Sequence, residues 1–161
     1  MAEEVIDMKE VLKEYLNQYY RKRKRKMILQ DRLDRLRLEM IGAKSQRLSG
    51  MPHSTTNNIS NEPLDFVIKQ EQIIMRLRNE EKESASAMLK IMDMINFLEC
   101  DSDERNILEL RYIDNYPWKK IEKLIPMSRS RCNDYLNIGL DKLLSFKKVQ
   151  KILEEFMNEQ G

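Results

Sequence analysis

Apolar residues recur along the first third of the chain at steps of three and four: Val5, Met8, Leu12, Tyr15, Tyr19, Leu29, Leu33, Leu36 and Met40. Lys22 and Lys26 occupy the two polar positions of the same register. Such alternation keeps one narrow seam of a helix turned toward a partner. A second register passes through Val67, Gln70, Ile74, Leu77, Glu81, Ser84, Met88, Ile91, Ile95 and Leu98, with Gln70, Glu81 and Ser84 as its polar interruptions. The spacing predicts helices over about residues 4–41 and 64–99, each roughly 54 Å long at about 1.5 Å per residue. Neither is expected to hold in water without burying its seam. Between them, residues 42–63 are rich in Ser, Thr, Asn, Gly and Pro and carry no period, which predicts a loop. Its length is enough for a function of its own.

If the two helices fold back antiparallel around that loop, facing residues should have numbers that add to about 105. This register sets RKRKRK (residues 21–26) opposite RNEEKES (residues 78–84). Two readings of the basic run follow. It is a solvated, partly neutralised stretch of coiled coil held by weak exposed ion pairs, or a patch for nucleic-acid phosphates. Six cations cannot all meet three carboxylates, so some positive surface remains available to DNA.

Past Cys100 the seam gives way to short, punctuated pieces, and the chain is divided here into a helical hairpin (residues 1–100) and a C-terminal domain (residues 101–161). Asp101 and Glu104 suit a capping box that opens ERNILELRYI, whose Ile107, Leu108, Leu110 and Ile113 can cover a small core. Pro117 fits the first position of the next helix, WKKIEKLI, with Trp118, Ile121 and either Leu124 or Ile125 on one face. Pro126 disfavours helical geometry at Ile125 and ends it. Ser128 is a good N-cap for a helix that buries Cys132, Leu136, Gly139, Leu140 and Leu143 and runs on into SFKKVQKILEEFMNEQ.

Composition narrows the class. Only 4 Gly and 4 Pro in 161 residues, with 35% charged residues, favour an all-α protein. Cys100 and Cys132 stand apart without a CxxC or a nearby histidine and are read as buried thiols, so neither a zinc site nor a disulfide framework is expected. His53 is alone in the loop and is assigned no chemistry. No nucleotide-binding glycine loop and no convergent acid cluster occurs, so neither an enzyme nor a cofactor is expected. No apolar run approaches the length of a membrane span and the N-terminal start is acidic and polar, which predicts a cytoplasmic protein. The net charge of +2 hides a basic first third, with 13 basic and 8 acidic residues in positions 1–50, and an acidic middle, with 5 and 8 in positions 51–100.

Two short helices joined by IPMS make a compact helix-turn-helix connection. The outer side of the second helix begins with Arg129, Ser130 and Asn133, followed by Asn137, residue types that bond base edges and phosphates. Lys119, Lys120, Lys123 and Arg131 are the candidate phosphate contacts, and local basic residues exceed acidic ones between Pro117 and Leu143. The plain alternative is an amphipathic helix of a helical bundle with polar residues outside.

Residues 104–143 also resemble region 4 of bacterial sigma factors. The likeness rests on ERNILELRYI, on Trp118 and Ile121, on SRSR at the start of the second helix and on LDKL at its end. With the long charged coiled coil and the LSGMPHS loop, the whole chain looks like the phage and prophage late-transcription regulators of the ArpU and RinA kind. That resemblance implies sequence-specific binding to double-stranded DNA upstream of phage late genes and activation of their transcription in a bacterial host, at the nucleoid. It implies contacts to backbone or bases from Arg129 and Arg131. Ser130 and Asp134 stand where sigma modules usually have Glu and Gln, so the promoter preference should differ, and Asp134 is expected at the margin or on Arg131. Pro126 replaces a small turn residue. Nothing in the chain resembles the strand-melting helices of a sigma factor. Two other functions fit the same pattern: a small-terminase-like DNA-packaging subunit, and a factor that binds RNA polymerase without touching DNA. The hairpin is read as an arm for self-association or polymerase contact.

Overall fold

The structure, a computed structural model, describes residues 7–47 and 62–161, and these are all-helical with no strand among them. Val5, His53 and most of the expected loop lie outside the described residues. The helices are α1 (Met8–Leu16), α2 (Gln18–Arg47), α3 (Glu62–Ile95), α4 (Asp103–Leu108), α5 (Trp118–Leu124), α6 (Arg129–Leu144) and α7 (Lys147–Gln160).

The long first helix expected over residues 4–41 is bent at Asn17, where α1 passes into α2 while the Asn17 N–H still donates to the Lys13 carbonyl at 3.0 Å and the Arg21 N–H to the Asn17 carbonyl at 3.2 Å. Asp7 starts α1 by accepting the Lys9 backbone N–H at 3.0 Å. At its far end the Gln18 side-chain amide donates to the Tyr15 carbonyl at 3.0 Å, diverting an acceptor from the helical ladder. The second long helix ends at Ile95, four residues before the expected 99.

The chain divides into two compact units, one made of Arg23–Glu83 and the other of Ser84–Gly161 with the described part of Met1–Lys22. Residue 100, the expected boundary, lies inside the second of these. The physical reason is apolar. Leu12 and Leu16 are fully buried in a core shared with α6 and α7, so α1 is a building block of the C-terminal unit.

In the unit Arg23–Glu83, Leu29 and Leu33 of α2 cluster with Leu77, Ile73 and Ile74 of α3. Arg25 Nε lies 2.8 Å from Glu80 Oε1, and Lys26 Nζ lies 3.8 Å from Glu81 Oε1. Positions 25 and 26 of α2 meet 80 and 81 of α3, and Leu29 and Leu33, further along α2, cluster with the earlier Leu77, Ile74 and Ile73, so the two segments run antiparallel. The expected register of about 105 is met here: the numbers of Arg25 and Glu80 add to 105 and those of Lys26 and Glu81 to 107. On α2 the predicted seam is the inward one, with Lys26, Leu29, Leu33, Leu36 and Met40 all buried or half-buried. On α3 two members are displaced by one residue: Val67 and Glu81 are exposed, while Phe66 and Glu80 turn inward. The second Glu80 oxygen is buried without a hydrogen-bond partner. Such a charged layer costs desolvation and returns registration between the helices.

In the other unit, α4 and α6 approach closely because Gly139 has no side chain to hold them apart. Ser102, not Asp101, caps α4, its hydroxyl accepting from the Arg105 N–H at 3.3 Å. Glu104, expected to complete a capping box, is buried instead and pairs with Lys142 across the interface. Arg105 stitches the turn before α4: its guanidinium donates to the Leu98 carbonyl at 3.2 Å and to Glu109 at 3.0 Å. Cys132 is buried as expected, but Cys100 is exposed. After α4 the chain widens into one π-helical turn, Glu109–Ile113, and Asn115 follows with φ 56°. The expected run of α6 into the C-terminal segment is broken at Ser145 and Phe146, where the Gln150 amide takes the Leu144 carbonyl at 2.8 Å. Tyr15 of α1 meets Phe156 of α7 edge to face, ring centres 5.4 Å apart. Among the described residues no helix is long and apolar enough to cross a membrane.

Candidate nucleic-acid interface

Helices α5 and α6 are separated by the four residues Ile125 to Ser128. Ile125 is extended (φ −112°, ψ 111°), as a residue before proline prefers. Pro117 precedes α5 as its N-cap with ψ 156°, one position earlier than the sequence suggested. Ile121 is fully buried and fixes α5 on the core, and Ile125 is the half-buried member at its end while Leu124 is exposed. Ser128 caps α6, its hydroxyl accepting from the Arg131 N–H at 3.3 Å. The stripe Cys132, Leu136, Gly139, Leu140, Leu143 is buried, which orients the rest of the helix. Burial raises the Cys132 thiol above its ordinary value, and the thiol is an inert core group.

That orientation turns Arg129, Ser130 and Asn133 outward, all exposed. With Trp118 of α5 they line an open depression of about 380 Å³. Three of the proposed reading residues are thus brought together, and the fourth differs. Asn137 is half-buried and its amide donates to the Asn133 carbonyl one turn back at 3.0 Å. Its donor is engaged with its own helix. Arg131 is exposed, with its guanidinium 5.9 Å from the centre of the Tyr135 ring. The expected pairing of Asp134 with Arg131 is not formed among the described residues, and Asp134 is exposed.

On α5, Lys119, Lys120 and Lys123 are exposed. Lys120 Nζ sits 3.7 Å from the centre of the Tyr116 ring, so part of its charge is already satisfied by the aromatic face. Lys119 and Lys123, one turn apart, share a face of α5. Sequence reasoning placed Trp118 only in the supporting face of α5. In the structure it lines the depression while Arg111 lies 5.0 Å from its ring centre. The Arg111 guanidinium also donates to the Tyr116 carbonyl at 3.1 Å, which ties the turn before α5 to the preceding helix. The signal for this arrangement was the arginine of LRYI at a distance of seven from the tryptophan, but that spacing crosses a turn and has no helical period to reveal it.

The start of α6 can meet a polyanion with Arg129 and Arg131, while Ser130 and Asn133 supply neutral donors and acceptors. No group of three or more metal-ligating side chains occurs among the described residues. Comparison with protein-family models, with curated proteins and with solved structures gives no match for this chain.

Proposed function

We propose that the chain is a sequence-specific DNA-binding transcriptional regulator in which α5 and α6 act as a helix-turn-helix and the start of α6 enters the major groove. The observation that carries this reading is the joint exposure of Arg129, Ser130 and Asn133 at the capped end of a helix whose other side is locked into the core. A backbone fixed in this way needs no ordering on binding, so only the side chains lose freedom. Arg129 and Asn133 read base edges, Ser130 adds a hydroxyl, and Lys119, Lys123 and Arg131 contact flanking phosphates. Lys120 and Asn137 take smaller parts, because each is already engaged within the protein. The resemblance of residues 104–143 to sigma factor region 4 supports the same assignment, and the likeness of the whole chain to ArpU- and RinA-type regulators makes activation of phage late genes the expected role.

Selection of bound sequences from a random DNA pool, followed by titration of the winner at several salt concentrations, tests this. A single recovered motif with steep salt dependence supports it. Recovery of no motif and no salt-sensitive binding, with RNA polymerase retained on the immobilised chain, would instead assign it as a polymerase-binding factor. The small-terminase reading is favoured by one observation, the exposed Leu64, Ile68 and Met75 on the outer side of α3. Light scattering separates it, since a packaging subunit forms a closed ring of many copies.

A further inference from the structure

A cavity of about 610 Å³ lies where α1 meets α2, and it shares no lining residue with the depression at the start of α6. Its wall includes Lys13, Asn17, Tyr20 and Arg21 from the α1–α2 bend, and Arg111 and Tyr112 from the π-helical turn. Three cations face one space there, opposed by Glu14 on the wall and by Glu10, which pairs with Lys13, so one positive charge is left in excess. Like charges gathered around a cavity repel one another and lower the free energy of any anion that enters.

The three cations differ in how far they are committed. Lys13 Nζ shares the Glu10 carboxylate at 3.2 Å, an exposed contact that is readily exchanged. Arg21 is exposed and makes no ion pair among the described residues. Arg111 is anchored through the Tyr116 carbonyl and the Trp118 ring, which uses part of its fork and leaves further N–H donors in a fixed orientation. One preoriented guanidinium with two mobile cations, the amides of Asn17 and Asn115 and two phenol rings suits a tetrahedral anion carrying a planar group. The volume is in the range of small-molecule sites, about 300–1,000 Å³.

We propose that this cavity binds a phosphate group through Lys13, Arg21 and Arg111, supplied either by a free nucleotide or by a nucleic-acid backbone. The inference does not rest on the assignment of α6 as a reading helix. Occupancy is expected to be visible at Trp118, the only tryptophan of the chain, because Arg111 touches both the cavity and its ring.

The test uses the full chain with two probes, adenosine triphosphate and a random-sequence DNA duplex. Saturable 1:1 quenching or enhancement of tryptophan fluorescence by the nucleotide, weakened at least about fivefold in Arg21→Ala and in Lys13→Ala and largely restored in Arg21→Lys, establishes a free-nucleotide site. If the nucleotide leaves the signal unchanged but Arg21→Ala weakens duplex binding and lowers the salt slope by about one, the phosphate is a backbone phosphate. Arg21 and Lys13 lie outside the buried core, and circular dichroism of the variants checks that they fold. Binding of both probes that is unchanged within twofold in Arg21→Ala and Lys13→Ala overturns the proposal. Arg129→Ala and Asn133→Ala serve as the independent control, because they test the start of α6 without touching this cavity.

Discussion

Gly139 lies against Leu108: a β-carbon at position 139 would stand 2.8 Å from Leu108 Cδ1 and 3.2 Å from Glu104 Cβ. Leu108 is fully buried, so its methyl has little room to retreat. Gly139→Ala gains helix propensity of about 1 kcal/mol, and overpacking costs about 1–3 kcal/mol. A net loss of about 1 kcal/mol is expected, with Gly139→Val clearly worse. Urea denaturation midpoints measure both, and a more stable Ala variant would show that α4 and α6 can separate freely.

Glu104 and Lys142 join the same two helices, and their titration gives a pH signature. The Lys142 ammonium, hydrogen-bonded to the buried carboxyl, holds Glu104 below its ordinary value of 4.5, and the pairing raises Lys142 above its ordinary 10.5. The depressed carboxyl contributes stability that is present above pH 4.5 and is lost as pH falls through its folded value. The raised ammonium contributes stability that is present below pH 10.5 and is lost as pH rises through its folded value. Between those limits the pair contributes a plateau. Lys142→Met should lower that plateau and flatten the acid limb, read from thermal unfolding across pH. An unchanged acid limb would remove the pair from the account.

Asn115 holds φ 56° in the turn ahead of α5, a region that asparagine tolerates and β-branched residues avoid. Asn115→Val is expected to cost about 1–2 kcal/mol. Asn115→Gly should fall within about 0.5–1 kcal/mol of the parent, because easier geometry opposes a more flexible unfolded chain. Equal losses in the two variants would mean that the side chain, not the backbone angle, matters.

Leu12 belongs to the first helix but is fully buried in the core of the C-terminal unit. Leu12→Ala should cost about 2–5 kcal/mol. A fragment spanning residues 101–161 lacks Leu12 and Leu16, as well as Ile91 and Ile95 of α3, and is expected to unfold with low cooperativity. A sharp, cooperative melt of that fragment would contradict the packing described above.

For DNA, Arg129→Ala and Asn133→Ala should each weaken a selected site by about 1–3 kcal/mol and relax specificity at one position. Lys123→Ala should weaken all sequences alike. Asn137→Ala should change affinity by less than about 0.5 kcal/mol, as expected of a surface residue whose amide is turned onto its own helix. Gel-shift titrations of the selected site and a scrambled control separate these patterns. A large, sequence-dependent loss at Asn137 would mean that its amide leaves the Asn133 carbonyl on binding.

Local pattern alone determined the helical class, the inward face of α2 through Lys26, Leu29 and Leu33, the stripe of α6 from Cys132 to Leu143, the Ser128 cap and the stop at Ile125. Each depends on helical period or on the geometry of one to four neighbouring residues, which a sequence displays directly. The same periodicity placed Arg129, Ser130 and Asn133 on one face. Tertiary structure decided the rest. Whether Leu12 and Tyr15 continue a coiled-coil seam or complete another core depends on apolar surface more than a hundred residues away, in Leu140, Leu153 and Phe156. Glu104 could serve a cap or pair with Lys142, and the choice followed from the close approach that Gly139 permits. Asn137 and Lys120 have side chains suited to nucleic acid, but competing partners within the fold hold them. Helical period reports which face a residue occupies; only three-dimensional packing settles what it meets there.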